Sequence, residues 1–410
     1  MNMRSRSHHA AHAGDDRPAE VPEMELVHRG SPDLVTTGDA LARLLATLRA
    51  DGVFAYDSEF ISERSYHPQL CLVQVSSRSA LALIDPLAGV DMRPFWELLA
   101  DPAVTKIVHS GASDIEPVLR HLGRPAAGVF DTQIAAGFIG LPYPMSLKKL
   151  VLELTGANLG SDLGFSDWQK RPLSPVQVRY AADDVRYLPA AHRELCARLA
   201  ALGHAESADE ECAATCEAGR FGFNPETHYQ RVRGIGALSL RSMAVLKALA
   251  AWRDAAARRA DKPPRTLLKD EVLLELARER PVSVAALGAV RGLPRAVAAG
   301  CGTDIMAAVG AACALPDSDL PAPEPAMGAG DKVRVDALAA ELARLCAAAS
   351  LDPGLVTSRK GLDRFYRHVA AGIGETPALL QGWRRAAVGE RLRVFLLDPR
   401  SPAHPAGTGG

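Results

Sequence analysis

Aromatic residues make up only 5% of this 410-residue chain, and no apolar run approaches the roughly 20 residues that span a bilayer. A membrane partner is therefore not expected. The opening segment, Met1 to Glu20, carries His8, His9 and His12 but no apolar core. It does not read as a secretory signal, and the expected location is the cytoplasm. Cysteines number seven, an odd and scattered set, whereas disulfide frameworks belong to small secreted chains. Cys212 and Cys216 sit four apart on an expected helix, yet no second Cys or His pair accompanies them at zinc spacing. The phosphate loop Gly-x-x-x-x-Gly-Lys-Ser/Thr is missing, so no nucleotide cofactor is expected. No Gly-x-Ser-x-Gly elbow occurs either. Ser110 and Ser113 near His109 are read as loop hydrogen bonding.

What is present is a globular composition, with 48% hydrophobic and 23% charged residues. Strand-like runs begin at Val53-Phe54-Ala55-Tyr56 and continue at Cys71-Leu72-Val73-Gln74-Val75 and Leu81-Ala82-Leu83-Ile84. Their short intervals predict an antiparallel meander, because parallel crossovers need a dozen or more residues. Lys106-Ile107-Val108-His109 reads as a fourth strand, followed by a helix with Ser113 as N-cap and Gly123 as its stop. Further helices are expected over 132–139, 146–155 and 174–202. The result is an α/β domain with a mixed sheet over residues 29–205, between a disordered tail (1–28) and a connector (206–230). Helical blocks follow at 231–315 and 332–398, joined by a Pro- and Ala-rich linker (316–331). A disordered tail is expected at 399–410. The similar length and apolar spacing of the two blocks suggest related modules.

Five residues stand out for chemistry. Asp57 and Glu59 lie two apart on a strand, so their carboxylates project to one side. Adjacent carboxylates resist joint ionisation, a problem that a bound divalent cation removes. Oxygen-only donors suit magnesium or manganese. Asp114 supplies a third carboxylate. Tyr180 and Asp184, four apart, share a helix face, with Asp183 turned away by about 100°.

Taken together these stretches resemble the RNase D family of DEDD exonucleases. Asp57-Ser58-Glu59-Phe60 with Tyr66-His67-Pro68-Gln69-Leu70-Cys71-Leu72-Val73-Gln74 resembles the first motif, and His109-Ser110-Gly111-Ala112-Ser113-Asp114 the second. The run from Leu173 to Val185 resembles the third, in the tyrosine subclass, and Asp131-Thr132-Gln133 is also family-like. The resemblance spans about residues 30–200. It implies a ribonuclease H-like exonuclease domain and 3′-to-5′ hydrolysis of RNA with a free 3′ end. The implied products are nucleoside 5′-monophosphates, the implied cofactors two Mg2+ (or Mn2+) ions, and the implied substrates tRNA precursors. Asp57, Glu59 and Asp184 would hold one ion, Asp57 and Asp114 the other, and Tyr180 would position the attacking water. Phe60, Tyr66 and His67 are expected near the terminal nucleotide.

The whole-chain charge of −1 hides an asymmetry. Residues 51–200 carry 14 Lys and Arg against 17 Asp and Glu, a balance of −3, whereas residues 231–315 carry 14 against 7, a balance of +7. A basic module suits a polyanion, since Lys and Arg release counterions from phosphates. Leu240 to Arg253 and the segments through Pro294 resemble an HRDC domain. That resemblance makes Arg253, Arg258, Arg259, Lys262 and Lys269 candidates for nucleic-acid contact. Val356 to Leu362 and Leu380 to Arg385 resemble a second, divergent HRDC-like module.

Overall fold

A computed structural model describes residues 21, 23–160, 166–321 and 327–405. Residues 1–20 and 22 of the expected N-terminal tail, 322–326 of the linker and 406–410 of the C-terminal tail lie outside the described residues. Six strands form one sheet in the order β1-β4-β3-β2-β5-β6: β1 Asp33–Val35, β2 Val53–Ile61, β3 Gln69–Ser77, β4 Leu81–Ile84, β5 Thr105–Val108 and β6 Val129–Asp131. The β2-β3-β4 meander is antiparallel, while β1, β5 and β6 join in parallel. The sheet is therefore mixed, as its sequence predicts. The short β1 and β6, three residues each, were not among the expected strands.

Strand alternation sorts the core into two layers. Phe54 and Tyr56 of β2 turn into one face, where α1 (Gly38–Asp51), α2 (Arg93–Leu99) and α3 (Ala112–Leu122) place Leu48, Phe95 and Val118. Ala55 turns to the other face. There it meets α4 (Thr132–Phe138), α7 (Leu188–Leu202) and α8 (Ala205–Thr215) through Phe138, Leu195 and Ala208. Helix α5 (Leu147–Thr155) precedes the site helix, α6 (Pro175–Arg186), which begins at a Ser174–Gln177 capping box. Gly123 ends α3 in the left-handed conformation at φ 70°.

Several expectations need correction. Helix α3 starts at Ala112 with Gly111 in the cap position, so Ser113 lies inside the helix and is not its cap. The expected 174–202 helix breaks at Tyr187, where Pro189 lacks the N–H that would continue the ladder. Residues 206–230 are not merely a connector. Helix α8 covers β6, an edge strand, and the Asp131 amide of that strand donates to Cys212 Sγ at 3.3 Å. The tails are also shorter than expected. Val27 packs with Val151, Ala157 and Tyr187, and Ala403 is buried. All seven cysteines are free thiols.

The helical block 231–315 closes its own core around α9 (Leu240–Arg259), with Leu246, Leu249, Leu273, Ile305 and Val309. The C-terminal block differs: Val335, Leu342, Phe365, Trp383 and Leu392 belong to the same core as Ile107, Phe130 and Phe138. Among the described residues one helix, Arg295–Cys313, is long and apolar enough to cross a membrane, with mean hydropathy 1.5. Glycines and Asp304 interrupt its apolar run, which is why the sequence does not announce it. Its Ile305 and Val309 pack against the α9 side of the module's core.

Candidate active site

The site forms where β2 emerges between α3 and α6. Asp57 and Glu59 share one face of β2, as their spacing requires. Asp57 stands opposite Gln74 in the β2–β3 register, and Gln74 Nε2 donates to its Oδ2 at 2.9 Å. The register shifts immediately after Glu59, a bulge of the kind that re-aims side chains beside active sites. One turn apart on α6, Tyr180 and Asp184 reach the same place. Carboxylate oxygens of Asp57, Glu59 and Asp184 lie within 4.8 Å of one another. Asp183 points away into an ion pair with Arg186 at 2.8 Å. The Tyr180 hydroxyl hydrogen-bonds Asp184, and its ring lies 6.0 Å from that of Trp168.

Asp114 approaches from the opposite side. Its Oδ1 accepts from Ser58 Oγ at 2.5 Å, and Ser58 separates Asp57 from Glu59 in the chain. The loop before it is tied down at both ends. Asp131 accepts from the amides of Ser110 (3.0 Å) and Gly111 (3.2 Å), while His109 bridges Thr132 Oγ1 and the Met145 carbonyl. Gly111 is required here because an added Cβ would sit 2.5 Å from that of Val108.

Electrostatics make this an unsettled cluster without a cation. Burial pushes the Asp57 carboxyl up to about 6, against hydrogen bonds from Ser58 and Gln74 that pull it down. Burial, then the charges of Asp57 and Glu59, raise Asp184 to about 9. Asp114 is raised well above the carboxylate range by burial and by Asp57. Four carboxylates resisting joint ionisation, all oxygen donors, fit hard divalent cations. Asp57 is the member that faces both Asp184 and Asp114.

The other expected site residues divide. Phe60 is half-buried at the strand end beside the bulge. His67 is exposed and packs edge-on against Tyr66. Tyr66 itself is drawn away to the helical module, where its hydroxyl donates to Asp254 at 2.7 Å. Arg253 and Arg258 are also engaged internally. Arg253 binds Asp270 and the Leu268 carbonyl, and Arg258 binds Tyr66 and Asp254. Arg259, Lys262 and Lys269 are exposed. Sequence reasoning missed Ser58 and Gln74 as partners of the carboxylates. A glutamine within an otherwise apolar buried strand was the available signal for the second; Ser58 left none.

Fold and cluster together define a 3′-5′ exonuclease that uses divalent metal. Residues 32–200 match the family model described as "3′-5′ exonuclease", and residues 242–309 match "HRDC domain". The chain belongs to the ribonuclease D family and is a 3′-5′ exoribonuclease acting on RNA. It is 38% identical to Ribonuclease D of Gluconacetobacter diazotrophicus, over 90% of this chain and 94% of that one. It is 38% identical to Ribonuclease D of Granulibacter bethesdensis, over 88% and 91%. The crystal structure of Escherichia coli RNase D, an exoribonuclease involved in structured RNA processing, superposes with a TM-score of 0.79. That match has 31% identity and covers 91% of this chain and 100% of the other.

Proposed function

We propose that the chain removes nucleoside 5′-monophosphates from the 3′ ends of tRNA precursors, in the cytoplasm where those RNAs are made. Two Mg2+ ions would serve it, with Mn2+ as a substitute. The observation that carries this reading is the meeting of Asp57, Glu59 and Asp184 oxygens within 4.8 Å. These three would hold one cation, and Asp57 with Asp114 the other. When bound, such a pair supplies positive charge to the attacking and leaving oxygens of an in-line displacement at phosphorus. Ser58 fixes the Asp114 carboxylate, and Gln74 fixes that of Asp57. Tyr180, bonded to Asp184, orients the attacking water and holds it on the α6 side. Phe60 offers its ring to the terminal base, where stacking tolerates any sequence. The structured RNA named for the E. coli relative supports a folded RNA with a 3′ tail as substrate.

The test offers a 3′-tailed tRNA, matched single-stranded RNA and matched single-stranded DNA, each with magnesium, manganese or chelator. The wild type trims the tailed tRNA with either metal and stops under chelation; a preference for the DNA strand would overturn the RNA assignment. Asp57→Asn is expected to keep the thermal unfolding profile, lose a calorimetric Mn2+ binding event and lose hydrolysis. Retained turnover in that variant would remove the metal scheme.

A further inference from the structure

The segment that leaves β2 after Ile61 does not hang free over the site. At its tip Tyr66 locks onto the HRDC domain. Its hydroxyl donates to Asp254 Oδ1 at 2.7 Å and accepts from Arg258 Nη2 at 2.9 Å, and the Arg258 guanidinium lies 4.9 Å from its ring centroid. Its backbone amide donates to Asp261 Oδ1 at 3.1 Å. Asp254 is only 9% exposed and pairs with Arg258 one turn along α9. A cleft of about 270 Å3 lies at this joint, lined by Tyr66, His67 and Glu116 on one side and Phe223, Asp254 and Arg258 on the other. Glu116 follows Asp114 by two residues on α3. The joint therefore touches α3, which carries Asp114, and the loop that follows β2, which carries Asp57 and Glu59.

The HRDC domain folds around its own apolar core, and among the described residues the apolar tie to the nuclease runs only along the connector, where Phe223 packs on the HRDC core and Phe221 on the core beneath the sheet. Polar interfaces between domains permit relative motion unless something fixes them. We propose that Tyr66 is a positioning residue, whose clasp on Asp254, Arg258 and Asp261 sets the HRDC domain over the cleft and thereby governs cleavage of RNAs long enough to reach it. The exposed cations argue for this coupling. Arg259 follows Arg258 and Lys262 follows Asp261, so seating the two latch residues on Tyr66 also seats two exposed cations beside the joint. RNA that extends past the cleft meets these cations in a fixed place; a short oligonucleotide never does. This rests on the exoribonuclease reading and adds a device for substrate length.

The experiment compares Asp254→Ala, Asp254→Asn and Asp261→Gly in the full chain. Asn retains an oxygen for the Tyr66 hydroxyl, while Gly suits the backbone at Asp261, where φ is 45°. Each variant is assayed on a trinucleotide RNA and on a 3′-tailed tRNA, and the distance between dyes on the two domains is recorded by single-molecule energy transfer. Loss of a charge-assisted hydrogen bond is expected to raise KM for the tailed RNA about tenfold in Asp254→Ala. Its kcat stays within about twofold and the trinucleotide reaction is unchanged, because the chemistry at phosphorus does not involve the joint. The distance distribution broadens in Asp254→Ala and Asp261→Gly, and Asp254→Asn restores most of the KM. Equal losses on both RNAs, or an unbroadened distribution with unaltered KM, would overturn the proposal. Trinucleotide hydrolysis by the wild type separates this failure from failure of the nuclease reading, which would abolish it.

Discussion

The two helical blocks look alike in sequence and behave as opposites in the structure. The HRDC domain buries Leu249, Leu273 and Val309 among its own residues and meets the nuclease through the polar clasp at Tyr66. The C-terminal block has no comparable privacy. Its Val335, Leu342 and Trp383 complete the nuclease core beside Phe130 and Phe138, with the Phe138 and Trp383 rings 4.5 Å apart. Asp352 donates its amide to the Gly137 carbonyl at 2.9 Å, stitching the block to α4. One block is an attached tool, and the other is a wall of the catalytic domain. Apolar burial fixes position far more firmly than a few polar contacts do.

The largest test of this contrast ends the chain after residue 320. Without the C-terminal block, the α4–α7–α8 face loses its apolar cover, and the truncated protein is expected to lose cooperative thermal unfolding and all hydrolysis. Leu273→Ala, a comparable loss inside the HRDC core of about 2–5 kcal/mol, should instead leave trinucleotide hydrolysis intact. A truncated chain that melts cooperatively and stays active would erase the distinction.

Arg384 gives a sharper cut. It grips Glu211 of α8 through two hydrogen bonds, at 2.5 and 2.8 Å, while Trp383 Nε1 donates to the same carboxylate at 2.8 Å. Burial pushes Glu211 up, but the Arg384 and Trp383 bonds hold it below the ordinary carboxylate value. Removing the arginine leaves the half-buried Glu211 carboxylate with Trp383 Nε1 in place of three charge-assisted partners, so Arg384→Ala should cost about 2–3 kcal/mol of nuclease stability. The pair Arg253–Asp270 is the HRDC counterpart, but Arg265 also binds Asp270 at 2.8 Å. Arg253→Ala should therefore cost less, and only in the HRDC transition. Urea unfolding of the two variants, followed by nuclease and HRDC probes, separates these outcomes; equal losses in one shared transition would contradict them.

Much of this was legible in the sequence because it follows from short-range rules. The two-residue spacing of Asp57 and Glu59 and the four-residue spacing of Tyr180 and Asp184 fix which faces the side chains share. The meander follows from short intervals between strands. What escaped is what depends on partners far along the chain. Nothing near Tyr66 announces that Asp254 will claim its hydroxyl 188 residues later, so its expected place near the nucleotide was read without that partner. Trp383 and Leu342 carry the apolar pattern of any helix core, and periodicity cannot say whose core they enter. Cys212 was set aside as a metal ligand but given no other role, because the need of an edge strand for a cap is invisible before the sheet order is known.

A pH test refines the comparison at an intermediate scale. His192 of α7 sits edge-on to Phe130 at 4.6 Å, on the face that the C-terminal block helps to close, and burial pushes it down to about 4 from 6.5. The native state keeps it neutral while the unfolded chain takes up a proton below 6.5. This group therefore costs nothing at pH 7.5 and destabilises progressively as pH falls, by about 2 kcal/mol at pH 5. His192→Leu should lose less nuclease stability than the wild type between those pH values, by that amount. Parallel losses in the two proteins would show that His192 is protonated in the fold.

The smallest effect concerns the free face of the attached tool. Arg259, Lys262 and Lys269 are exposed, so replacing all three by Ala should change stability by less than about 0.5 kcal/mol. Affinity for tailed RNA should fall, and its salt dependence should flatten by about one unit of slope for each cation that touches a phosphate. Equivalent replacements on the C-terminal block, such as Arg391→Ala, should leave the slope unaltered if that block serves as a wall. A slope that drops equally for both would mean that the wall also binds RNA, and the division of labour between the helical blocks would rest on packing alone.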